Sequence, residues 1–137
     1  SGLGERKAHE LAQPGDVLVI QGVPGVSSMG AISASTGRKA GEAGAVVDGA
    51  VRDTNHSRAI GYPVWSSGVS PVTGKWRIET VGINLEVAIA GVAVQPGDLV
   101  VADEVGVCFV PYERAAEVLA VAQRIASSEK ERLEKLR

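Results

Sequence analysis

The stretch from Gly44 to Asp53, GAVVDGAVRD, constrains the fold more than any other part of this sequence. Apart from Asp48 it is small or β-branched until it meets two opposite charges, so it reads as a strand buried in a sheet. Such a strand needs a layer on each side, which points to a layered α/β fold. In open α/β sheets, ligands collect beyond the C-terminal ends of strands. The run therefore delivers Arg52 and Asp53 together to a site for a small anionic ligand.

The flanking sequence supports this frame. Residues 4–12 read as a short helix, 17–21 as a buried strand and 22–25 as a loop around Pro24. Ser27 and Ser28 are N-cap candidates for a helix over 29–39. That helix is built from Gly30, Ala31, Ser33, Ala34, Ser35 and Gly37, with Ile32 its only large aliphatic beyond Met29. Small residues cost helix propensity, and the return is close approach to a neighbouring element or to a ligand. After Asp53 comes a polar stretch, 54–57, then a strand near 64–65 and a Gly/Ser/Pro-rich loop over 66–75. Short β-branched runs at 78–81, 85–89, 92–94, 99–102 and 107–110 read as strands. Pro111 opens a long helix whose apolar spacing breaks at 127–130, so its last turns are expected to lean on a partner chain. The order gives parallel strands with crossover helices, followed by a β-rich half and a terminal helix in a mixed-sheet architecture.

Composition narrows the function. With 137 residues the length fits a single domain, and 45% apolar but only 4% aromatic residues require a core of Val, Ile, Leu and Ala. The net charge of −2 offers no basic footprint for nucleic acid. No apolar run approaches the ~20 residues that span a bilayer, and no basic leader precedes an apolar segment; the expected location is the cytoplasm. Ser1-Gly2 reads as a cloning scar or a cut end. Cys108 is the sole cysteine and reads as a small buried hydrophobe. The motif Gln-Pro-Gly-Asp occurs before two strands, at Asp16 and at Asp98, where Pro and Gly set a turn that the aspartate caps.

The chemistry converges on few residues. Arg52 offers a planar fork for a carboxylate, and Asp53 offers hard oxygens for Mg²⁺ or Mn²⁺. The same pair also reads as a local salt bridge. The start of the small-residue helix can receive an anion on its free N–H groups, or simply pack on the 17–20 strand. His56 could be a general base, a metal ligand or a loop histidine, and His9 reads as solvent-facing on the first helix. No zinc-type His/Cys cluster, P-loop or Gly-x-Ser-x-Gly elbow is present.

Taken in order, GEAGAVVDGAVRD after Gly30, then GYPV at Gly61, GVSP at Gly68, GVAVQPGD at Gly91 and ADEVGV at Ala102, resemble the RraA-like family. That family holds the regulator of ribonuclease E activity and the class II 4-hydroxy-4-methyl-2-oxoglutarate aldolases. The resemblance runs from about Ala12 to the C-terminus. It implies a swivelling β/β/α domain with a C-terminal helix, assembling as a homotrimer or hexamer with sites between subunits. It implies Mg²⁺ or Mn²⁺ held by Asp53, with Arg52 on the oxo-acid end of the substrate. Backbone amides around Gly30, Ala31, Ile32 and Ser33 would receive the carboxylate. The implied activity is a metal-dependent lyase that cleaves a 4-hydroxy-2-oxo acid or decarboxylates oxaloacetate, with Arg52 and His56 in catalytic roles. The alternative is a non-catalytic protein that regulates a ribonuclease.

Three departures bear on that choice. Aldolase members carry an acidic residue where this chain has His56, and often one where it has Ala31. Family members also have a longer N-terminal segment, which this chain, read as one domain over 1–137, is expected to lack.

Overall fold

The computed structural model describes residues 2–137, so the reading of Ser1 lies outside the described residues. The chain divides into two compact units with the boundary after Pro96.

The first unit contains α1 (Gly2–Leu11), β1 (Val17–Gln21), α2 (Ala31–Ala40), β2 (Gly44–Val51), α3 (Thr54–Ala59), β3 (Val64–Val69), β4 (Val87–Ile89) and β5 (Val92–Val94). Strands β1, β2 and β3 form a parallel sheet with β2 in the centre. As the apolar run demands, every residue of β2 except Asp48 is buried. The core is small: Met29, Ala34, Ala45, Val47, Val51 and Tyr62 are buried together, and Leu18, Ile20, Ile60 and Val64 pack on them.

A register shift interrupts the β2–β3 ladder between Val47 and Ala50. Gly49 sits there at φ +152, and a Cβ on it would meet the backbone N and O of Val23 at 3.0 Å. The missing side chain lets the 22–26 loop cross the strand. Asp48 turns outward, and its Oδ2 accepts the Ala90 N–H at 2.8 Å, while Gln21 Oε1 accepts that of Ala88 at 2.8 Å. These two side chains fasten the β4–β5 hairpin to the sheet. Ala90 (φ 48) and Gly91 (φ 81) form its two-residue turn, both left-handed as such a turn requires.

Helix α2 uses its small residues for close approach. Ala34 and Gly37 are buried, and a Cβ on Gly37 would meet the Tyr62 hydroxyl at 2.7 Å. Neither Ser27 nor Ser28 caps the helix. The N-cap is Gly30, in extended backbone without a side-chain cap, because Ser27 is already bridged to Ala50 in parallel fashion. At the other end Gly41 closes the helix in the left-handed conformation.

The second unit is a β6 (Leu99–Ala102) and β7 (Val107–Val110) antiparallel hairpin, then a 3₁₀ turn (Tyr112–Arg114) and α4 (Ala115–Glu134). Asp103 Oδ1 accepts the Val105 and Gly106 N–H groups across the hairpin turn. No residue of α4 is buried. Among the described residues no helix is long and apolar enough to cross a membrane.

Several expectations are corrected. Residues 78–81 form no strand. The Arg77 and Ile78 amides bond back to the Gly74 carbonyl in a turn, Trp76 is left-handed at φ 67, and Val81 stands in solvent. The 85–89 strand shortens to β4, and the polar stretch after Asp53 is helix α3. Cys108 is exposed, since alternation along β7 turns it to the outer face. The turn reading of Asp16 holds, with its Oδ2 accepting the Gln13 N–H at 2.9 Å.

His9 is not solvent-facing; it is 4% exposed. Helix α1 packs on α2 and carries the ring between Glu42 Oε1, 2.8 Å from Nδ1, and Ser33 Oγ, 2.8 Å from Nε2. The Tyr62 hydroxyl donates to Glu42 Oε2 at 2.6 Å. Hydrogen bonding to Glu42 raises the His9 pKa above its ordinary value against the opposing effect of burial. Burial, and then the bond to Glu42, push Tyr62 up so that it stays protonated. A raised histidine pKa means that the folded state holds the proton more tightly than the unfolded chain. The stabilisation is complete below the unfolded value near 6.5 and is lost as pH rises through the higher folded value. Urea midpoints should therefore fall as pH rises above about 6.5, and His9→Gln should flatten that fall; parallel curves for the two proteins would contradict it.

Candidate functional site

The end of β2 is shaped by what pairs with it. Near the register shift the segment that leads into α2 replaces β1 as its neighbour on one edge, while β3 stays paired on the other through Gly68 and Val69. The Gly22 N–H donates to the Asp48 carbonyl at 2.8 Å, Ser28 N–H to Ala50 at 2.9 Å, and Arg52 N–H to Met29 at 3.0 Å. This ladder sets the first turn of α2 beside Arg52 and Asp53. Three segments of sequence thus meet at one point for main-chain reasons.

Asp53 occupies the left-handed region, φ 55 and ψ 39, and is the N-cap residue of α3. Aspartate adopts this conformation more readily than most residues, and non-glycine residues held there cluster at functional sites. Its Oδ2 accepts the Ala31 N–H at 3.0 Å, so the α2 N-terminus is capped from across the fold. Arg52 Nη1 donates to Ser27 Oγ at 3.2 Å, and Ser27 in turn donates to the Met29 carbonyl at 2.8 Å. Arg52 Nε and Asp53 Oδ2 are 3.6 Å apart, with both side chains over a third exposed. That separation and exposure make the salt-bridge reading true but energetically slight. Both charged groups remain open to a ligand.

Gly30 makes the arrangement possible. A Cβ there would lie 2.7 Å from Asp53 Oδ2 and 2.9 Å from Arg52 Cγ. Beside it, Ala31, Asp53, Thr54, Asn55 and His56 line an open depression. His56 Nε2 lies 2.8 Å from Ser35 Oγ, which links α3 to the second turn of α2.

Of the expected site residues, Gly30, Ala31, Arg52, Asp53 and His56 come together. Ile32 sends its side chain into solvent. Ser33 turns its hydroxyl away, into the buried His9 network, so only the backbone amides of Ile32 and Ser33 belong to the first turn that faces the site. Sequence reasoning missed Ser27 as the anchor of Arg52 and Ser35 as the partner of His56. Ser35 had a signal, lying four residues after Ala31 on one helix face. Among the described residues no three His, Cys, Asp or Glu side chains cluster as a metal cage.

Gly30→Ala should keep the fold while displacing Asp53 from Ala31. The expected result is an upfield shift of the Ala31 amide proton and a loss of about 1 kcal/mol in urea unfolding, the usual cost of a lost cap. An unshifted amide would contradict this account of Gly30.

The same fold is found in known proteins. A protein of Halalkalibacterium halodurans named "Putative 4-hydroxy-4-methyl-2-oxoglutarate aldolase" is 35% identical over 120 residues, which is 86% of this chain and 57% of that protein. RraAS2 of Streptomyces coelicolor, an unusual member of the RNase ES inhibitor RraA protein family, superimposes with a TM-score of 0.87 at 34% identity, over 94% of this chain and 67% of its own. An uncharacterized protein from Pseudomonas syringae pv. tomato gives a TM-score of 0.90 at 28% identity, over 95% of this chain and 62% of its own. The chain thus spans only about three fifths of the length of such relatives. Residues 3–109 match the RraA-like family, described as Aldolase/RraA, and the chain belongs to that family.

Proposed function

We propose that this chain carries the site of a divalent-metal-dependent lyase acting on a pyruvate-derived oxo-acid, of the 4-hydroxy-2-oxo acid aldolase or oxaloacetate decarboxylase type. The observation that carries this reading is Arg52 and Asp53 standing, half-exposed, against the first turn of α2. The aldolase name of a relative at 35% identity supports the same direction.

A single carboxylate fits Mg²⁺ or Mn²⁺ in one mode, in which the ion keeps several waters and takes one protein oxygen plus substrate oxygens. Asp53, with its carboxylate at the edge of an open depression, suits that mode. The ion would supply Lewis-acid stabilisation of negative charge on the 2-oxo group. The chain's own residues do the rest. The Arg52 guanidinium pairs with the oxo-acid, and its anchor on Ser27 restricts its rotation. The amides of the α2 first turn attract the substrate carboxylate. His56, held by Ser35, would accept or return a proton. Loss of carbon dioxide from oxaloacetate leaves a pyruvate enolate, which takes up one proton to give pyruvate. The same reading includes assembly as a trimer or hexamer, in keeping with an α4 that buries no residue within its own unit.

Incubation with oxaloacetate and Mg²⁺ or Mn²⁺ should release pyruvate. Asp53→Ala, and Arg52→Lys, which loses the planar fork, should each slow release by roughly a hundredfold or more. Equal rates for wild type and Asp53→Ala would remove the lyase reading. A ribonuclease regulator is the second reading. It is favoured by Ala31 and His56 standing where aldolases carry acidic residues, and by the likeness to RraAS2. Capture of a ribonuclease that persists in Asp53→Ala, with no turnover by wild type, would select it.

A further inference from the structure

The buried network behind α2 has no part in the proposed chemistry, yet it touches the helix that frames the site. His9 is faced by Glu5 on its own helix at 4.0 Å, Ser33 on α2, and Glu42 between α2 and β2. Tyr62, just before β3, binds the far oxygen of Glu42. The charge of Arg52, from the end of β2, acts on Glu5.

The donors available to it decide how this network can switch. The Glu42 side chain is fully buried and already accepts the Tyr62 hydroxyl, so its other oxygen needs a proton from His9 Nδ1. Nδ1 therefore keeps its hydrogen in both states of the ring, and titration falls on Nε2. When Nε2 is protonated it donates to Ser33 Oγ, and the Ser33 hydrogen is free to turn away from the ring. When Nε2 is bare, the Ser33 hydroxyl must donate to it. Glu5 Oε1, 4.0 Å from Nε2, is buried without a hydrogen-bond partner of its own. One proton on Nε2 thus sets the direction of the Ser33 hydroxyl. Ser33 lies two residues beyond Ala31, in the turn whose N–H binds Asp53.

We propose that His9 is a positioning residue, acting through Ser33 on the first turn of α2 so that its protonation changes the Ala31–Asp53 contact. This rests on reading that contact as the site but on no particular reaction.

The test is a ¹H–¹⁵N titration of the metal-free protein from about pH 5.5 to about 9, which brackets the ordinary histidine value. The Ala31 amide should shift with the midpoint of the His9 ring protons. In Ser33→Ala, His9 should still titrate against Glu42 while the Ala31 shift disappears. In His56→Gln the Ala31 shift should persist, which separates it from the histidine bonded to Ser35. An Ala31 amide that stays flat across the His9 midpoint overturns the proposal. So does a shift retained in Ser33→Ala, or one lost in His56→Gln. Because no substrate or ion is present, a failed lyase assay and a flat Ala31 amide are separate results.

Discussion

Everything at the site depends on the change of partners halfway along β2. Its first half pairs with β1 and β3 in plain parallel register. At Asp48 and Gly49 the β3 ladder shifts but continues, and on the other edge the second half takes Ser27, Ser28 and Met29 as main-chain neighbours in place of β1. Only glycine permits the 22–26 loop to pass so near, because a side chain would meet the Val23 backbone. Main-chain hydrogen bonds are directional and obligatory when buried. They therefore hold the α2 first turn against Arg52 and Asp53 more firmly than the loose ion pair could. Side chains decorate a junction that the backbone has built.

Behind that junction the molecule keeps charge in its interior. His9 and Glu42 are almost wholly buried, and such a pair seldom gains much net stability because desolvation opposes attraction. Its geometry is nevertheless strict. Glu42 accepts from His9 and from Tyr62, and Gly37 leaves room for the Glu42 and Tyr62 side chains by lacking one of its own. Apolar replacements could fill the volume, but they would not tie α1, both ends of α2 and the lead into β3 to one another. What the network adds is specificity of placement, paid for in solvation.

The legibility of the sequence follows from this division. A continuous apolar run such as Gly44–Val51 has few ways to fold, so β2 and its charged end were readable, as was the crowding of small residues in α2. Helix α3 was not, because its sequence TNHSRA has no apolar period and it starts from a left-handed Asp53. Residues 78–81 have the composition of a strand, yet a strand exists only where another can pair with it, and composition carries no partner. His9 was misread because its partners lie 24 and 33 residues away. Alternation alone does not say which face of β7 is outward, and Cys108 lies on the exposed one. The family motifs recovered the overall class; they could not supply the Ser27 anchor or the buried network, which are properties of packing.

The contact between Asp53 and Ala31 also changes how the helix start must be understood. A free N-terminus attracts anions through its unpaired N–H groups and its partial positive charge. Here the chain supplies its own carboxylate to the first of those groups. An incoming anion therefore meets negative charge already in place and cannot be drawn by the helix alone. Arg52, kept beside the carboxylate but oriented by Ser27, offsets part of that charge; a cation on Asp53 would offset the rest. With Ala31 contributing no second carboxylate, the local balance is easier to neutralise and the cage around an ion is smaller. Under the proposed lyase reading anion recognition and metal affinity oppose one another at this position, and Ala31, where the family resemblance implies an acidic residue, moves the compromise toward the anion.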